Sequence, residues 1–246
     1  MKKLLFLLLL FPLSLLAKAP VEDDIVDKIN DPASAYYYPN LFIKFNSGGS
    51  FTAEEFHYLY YGFAYSELYR PLEVNTKIDK VLLLASSLDP ESPSQSTLDE
   101  IIISSNEALE QNPFSPTLWN LLAFAYGATG DSEREQMAFD RFNLILSTID
   151  NSGDGVKEKS PKHIIMFDHA IDLLTTQGIS HAQAKVISRT VEYIPFLDAQ
   201  RDGGDGQKVK GLYFDFGRIY WNKPDDVTYK RDQTWQFNNL KPKEYK

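Results

Sequence analysis

From residue 52 to residue 178 the apolar residues recur every three or four positions, and Pro or Gly punctuates the runs. That spacing puts one apolar stripe on each helix, so a chain of this pattern must bury stacked amphipathic helices. Thr52-Ala53-Glu54-Glu55 opens a clear case. It is a capping box, in which the Thr hydroxyl and the Glu carboxylate reciprocally satisfy free backbone N–H groups of a first turn. Phe56, Leu59, Tyr60 and Phe63 follow at i, i+3, i+4 and i+7. Further helices are expected over 77–88, 97–111, 116–128 and 131–149, with Asp89-Pro90, Asn112-Pro113 and Thr129-Gly130 as their stops. Ser160-Pro161 is expected to start another, with Ile164, Phe167, Ile171 and Leu174 on one face, and 179–189 a shorter one. The period then changes to two. Val191, Tyr193 and Ile194 lie in one such segment, and Leu212, Phe214 and Phe216 alternate with Tyr213 and Asp215 in the other. With the Gly/Asp-rich stretch 202–206 between them, 190–221 predicts a small antiparallel hairpin appended to a helical body.

The central helices fit a known register. Trp119, Leu122, Ala123, Tyr126, Gly130, Asp131 and Phe139 stand where a tetratricopeptide repeat has its Trp, Leu, small residue, Tyr, turn and Phe. Ala108, Leu109 and Pro113 fit the end of a preceding repeat in the same frame of about 34 residues. Glu135 and Phe142 depart from it, since small residues are usual there. The expected fold class is therefore mainly α, with tetratricopeptide-like helical hairpins in a superhelix-like arrangement and a small C-terminal β-hairpin.

At the N-terminus, Lys2 and Lys3 precede an apolar run over 4–16, and Ala17-Lys18-Ala19 follows. A basic start, a short apolar core and an A-x-A site make a secretory signal. The run is shorter than the about 20 residues that span a bilayer. Residues 1–19 are thus expected to be a signal peptide cleaved after Ala17 or Ala19. Ala17 is preferred because Pro20 would directly follow the other cut. The mature chain is expected to be exported, periplasmic or secreted, with no membrane anchor. Residues 20–35 read as a linker, 36–222 as the domain and 223–246 as a polar tail. Removing Lys2 and Lys3 takes the formal charge from −9 to −11. So acidic a chain is poorly matched to nucleic acid, whose affinity comes from neutralising phosphates. The absence of Cys excludes disulfides, thiol catalysis and cysteine zinc sites.

Asp150, Ser152 and Asp154 carry oxygens at alternate positions and Gly155 stands sixth, as in the first half of a calcium loop. The bidentate Glu required at the twelfth position is replaced by Pro161. The expectation is an inter-helix loop and no cofactor, with calcium as the alternative. His163, His169 and Asp168 are the catalytic candidates. The histidines are six apart, and adjacent Asp168 and His169 diverge on a helix. No G-x-S-x-G, phosphate loop or dinucleotide fingerprint occurs. Thirteen Phe or Tyr fall between Tyr36 and Tyr69. Most are expected in the core, whereas Tyr58, Tyr61 and Tyr65 lie off the apolar stripe and are ligand-binding candidates.

The E-E-F-x-x-L-Y-Y-G stretch at 54–62, the S-G-D-G loop at 152–155 and the G-L-Y-F-D-F strand at 211–216 resemble an uncharacterised bacterial family of exported proteins. It is known as a domain of unknown function. The resemblance spans about 36–221 and implies a repeat-like helical fold, with no activity or catalytic residue attached. An acidic and an aromatic residue are common after His169 in that family, where this chain has Ala170-Ile171. The leading functional expectation is a non-enzymatic protein- or peptide-binding scaffold of the cell envelope, since stacked helix pairs form concave surfaces. The alternatives are a hydrolase-type enzyme where the 150–155 loop meets His163 or His169, and a calcium-dependent ligand-binding protein.

Overall fold

The computed structural model describes residues 18–89, 92–198, 201–202 and 208–220. Residues 1–17 of the expected signal peptide, most of the 202–206 connection and the expected tail 223–246 lie outside the described residues. The chain runs α1 Glu22–Asn30, α2 Tyr38–Asn46, α3 Ala53–Gly62, α4 Thr76–Ser86, α5 Gln95–Leu109, α6 Pro116–Thr129 and α7 Ser132–Asp150. Then come β1 Lys162–His163, α8 Asp168–Thr176, β2 Lys185–Val186, β3 Val191–Pro195, β4 Arg201–Asp202, β5 Lys208–Val209 and β6 Gly211–Asp215. It is mainly helical with a small C-terminal sheet, as the periodicities predict.

Local chemistry explains the helix limits. The capping box is formed, with Thr52 Oγ1 accepting from Glu55 N at 3.1 Å and Glu55 Oε2 from Thr52 N at 2.8 Å. Ser94, Ser115 and Asp131 cap α5, α6 and α7 through their side-chain oxygens. Pro116 begins α6, and Gly130 ends it in the left-handed conformation at φ 83. Helices α4 to α7 pack in sequence order. Trp119 Nε1 donates to the Pro113 carbonyl at 2.8 Å, which satisfies the indole as it is buried. Glu135, at a position where the tetratricopeptide register usually has a small residue, lies over Gly127, where an added Cβ would come within 2.7 Å of its carboxylate.

The core gathers around Phe114. Its ring meets those of Phe45, Phe56, Tyr60 and Phe63 at centroid distances of 5.1, 6.0, 5.8 and 5.2 Å. Aromatic pairs of this geometry stabilise beyond their buried area. All the aromatic residues of this dense segment except Tyr37 are buried in the core or packed against it.

Three expectations are corrected. Part of 20–35 is α1 rather than linker, because Ile25 and Ile29 are buried and hold it in the main core. The expected helix start at Ser160-Pro161 is instead β1, parallel to β6 with Lys162 opposite Phe214 and His163 opposite Asp215. Helix α8 starts only at Asp168. The expected helix over 179–189 contains β2, antiparallel to β3. The expected hairpin is present as β3 against β6, from Val191 opposite Asp215 to Pro195 opposite Gly211. It forms the centre of a four-stranded sheet ordered β1-β6-β3-β2.

Candidate functional site

Two places collect functional groups among the described residues. The first is a polar junction around His163, where α1, α3 and the sheet meet. The β1–β6 register sets His163 beside Asp215, with Nδ1 3.9 Å from the carboxylate. That is beyond hydrogen-bond reach. Helix α3 supplies His57 and Tyr61, and the turn Gly217–Tyr220 supplies Arg218, which pairs with Glu22 of α1. The three stretches that carry the family resemblance converge here. Tyr61 of the first donates to the His163 carbonyl at 3.1 Å. Ser152 of the second accepts from His163 N at 2.7 Å. Asp215 of the third flanks the imidazole.

Burial sets the junction's electrostatics. Desolvation, then Lys18 and Arg218, bring His57 down to about 4. Desolvation, then Arg218 and His57, bring His163 down to about 3. Both imidazoles are neutral near pH 7. The hydroxyls are committed elsewhere, since Ser152 Oγ donates to the Ile149 carbonyl at 2.7 Å and burial pushes the Tyr61 phenol up.

The other sequence candidates are distributed through the fold. Tyr58 and Tyr61 are buried rather than displayed, because α3 is enclosed by α1, α2 and α7. Tyr58 donates to Asp24 at 2.7 Å, and half-buried Tyr65 to Glu22 at 2.6 Å. His169 is fully enclosed, its Nδ1 2.7 Å from the Tyr60 hydroxyl. Asp168 sits at the first turn of α8. The loop with Asp150, Ser152 and Asp154 brings no carboxylate to an imidazole. Lys162 Nζ instead bonds the carbonyls of Asp150 and Gly153, at 2.7 and 3.0 Å, and the Asp150 carboxylate at 2.9 Å. The ammonium therefore bridges the two ends of this turn. No group of three or more metal-ligating side chains that could hold an ion occurs among the described residues.

The second place is a groove of about 1090 Å³ along α7, walled by the 47–51 loop on one side and the end of α8 on the other. Its residues on α7 include Glu133, Met137, Asp140, Leu144 and Ser147. These are spaced four, three, four and three apart, so they form one stripe along the helix. The loop wall is built locally. Gly48 adopts φ 78 after α2, and its N–H bonds Phe45 O at 3.2 Å. Arg141 then fixes it, with Nη2 donating to the carbonyls of Phe45 and Gly49 at 3.3 and 2.7 Å. Its guanidinium lies 4.5 Å from the Phe45 ring centre and 4.8 Å from that of Phe51. Burial lowers Arg141 to about 10, so it stays charged. The sequence reading missed this site. Its signal was the 133–137–140–144–147 stripe, offset from the buried stripe of Ala138, Ile145 and Ile149.

No curated protein and no solved structure matches the chain. A family model does match, and residues 23–224 cover α1, the helical body, the sheet, the polar junction and the α7 groove. The chain belongs to the family described as Domain of unknown function (DUF4919).

Proposed function

We propose that this is an exported, non-enzymatic binding protein of the cell envelope that takes a protein or peptide segment in the α7 groove. The groove itself carries the reading. It is open, has the size of a ligand site, and combines apolar Met137 and Leu144 with polar Gln136, Asn143 and Gln177. Stacking of α4 to α7 as tetratricopeptide-type hairpins belongs to the same proposal. Export is supported by the leader sequence. The Lys18 backbone N donates to the Asn151 carbonyl at 2.8 Å. Cleavage after Ala17 keeps that bond, and cleavage after Ala19 removes it. The test is selection of displayed random peptides on the folded mature chain. Enrichment that disappears with Met137→Glu supports the reading, and equal enrichment on both proteins contradicts it.

A second reading, a hydrolase-type enzyme, rests on the His163–Asp215 pair, whose side chains are 17% and 22% exposed. Turnover of chromogenic ester or glycoside panels, lost in His163→Ala while the melting temperature holds, would favour it. Background rates for the unmodified protein count against it.

A further inference from the structure

We infer that the α7 groove selects an extended, basic polypeptide segment of about eight residues; this deepens the binding reading and rests on it. Dimensions come first. From Glu133 to Asp150 the groove follows 17 residue steps of α7, or about 26 Å at the helical rise. An extended chain rises about 3.3 Å per residue and covers that span in about eight residues. A helix would need about 17 residues for the same span.

Charge comes next, and it depends on which ionic groups are already committed. Arg134 pairs with Asp131 through Nε at 2.6 Å and lies over the Tyr126 ring. The Arg141 guanidinium is held by two carbonyls and two rings, as described. The Asp150 carboxylate is neutralised by Lys162 at 2.9 Å. Exposed Glu133 and Asp140 remain. Asp140 accepts from a neutral amide, Gln136 Nε2, at 2.8 Å, and also feels the Arg141 guanidinium next to it on α7. Arg141 is committed to the wall and exposed Arg134 to Asp131, so Glu133 and Asp140 leave the face along α7 net negative. A Lys or Arg in the segment meets these carboxylates, while its apolar neighbours lie on Met137 and Leu144. The side-chain amide of exposed Asn143 lines the groove and can bond the segment's backbone, as an extended ligand requires.

The experiment uses fluorescein-labelled octapeptide pools with two central positions fixed as Lys, Glu or Ser, titrated by anisotropy against the mature chain in low salt. The Lys pool is expected to bind at least tenfold more tightly than the Glu pool, with the preference shrinking as salt rises. The double variant Glu133→Lys, Asp140→Lys is expected to reverse the order. Both positions are exposed, so the fold tolerates the change. Equal binding of all pools, lost in Met137→Glu, overturns the charge inference and leaves the binding reading standing. Absence of binding by every pool overturns both.

Discussion

The ammonium of Lys162 lies within the turn that follows α7, 2.9 Å from the carboxylate of Asp150 and 2.7 Å from the carbonyl of the same residue. Lys162 is almost fully buried, and one side chain thereby satisfies two carbonyls and an acid. Added calcium at millimolar concentration is expected to leave the melting temperature unchanged, because binding to the native state alone would raise it. Lys162→Met is expected to cost about 2–4 kcal/mol, since it strands buried acceptors. Calorimetry of both proteins, with and without calcium, checks this. A calcium-dependent rise in the unmodified chain would contradict it.

Gly153 is needed for the same turn. A Cβ there would fall 2.0 Å from the Pro161 carbonyl oxygen, a backbone atom that cannot step aside. Gly153→Ala is expected to destabilise by more than about 3 kcal/mol, in the range of severe backbone or packing conflicts. Urea unfolding measures it, and a loss below about 1 kcal/mol would show that the turn yields.

Acid is expected to weaken the fold over a defined window. His57 and His163 titrate near 4 and 3 when folded and near 6.5 when unfolded. The unfolded chain therefore binds more protons between these values, and stability falls as pH drops from about 6.5 to about 3. The shifts correspond at the low end to about 3 kcal/mol for His57 and about 5 kcal/mol for His163. Asp172, raised by burial to about 6, works in the opposite sense. Unfolding measured at pH 7, 5 and 4 in His57→Gln should show a shallower loss than in the unmodified chain.

Asp172 gives a prediction of its own. It accepts from Thr117 at 2.8 Å, while its second oxygen is buried without a partner. Above pH 6 the native state carries this charge desolvated, so Asp172→Asn is expected to stabilise by about 1–2 kcal/mol at pH 8 and by less at pH 5. Denaturant melts at the two pH values decide it, and equal effects would contradict the assigned cause.

Much of the helical body was legible because its signals are local. The Thr52–Glu55 box, Pro116 at a first turn and Gly130 after a last one act within a few residues. The failures concern segments whose structure is set by distant partners. Residues 160–164 read as a helix start, yet Lys162 and His163 take their conformation from the 150–153 turn and from β6. Tyr58 and Tyr61 looked outward because a single-helix stripe cannot foresee that α1 and the sheet cover the opposite side. The groove went unread for a related reason. Its α7 stripe becomes a site only once the 47–51 loop, about ninety residues earlier in sequence, stands opposite and is pinned by Arg141.

The central claim, that the α7 groove is the ligand site, is tested most directly by hydrogen exchange of residues 18–246 with and without the Lys-fixed octapeptide pool. Protection is expected in the 47–51 loop and along 133–147, with none around His57, His163 and Asp215. Protection confined to that junction, or no protection anywhere at saturating pool, would contradict the account.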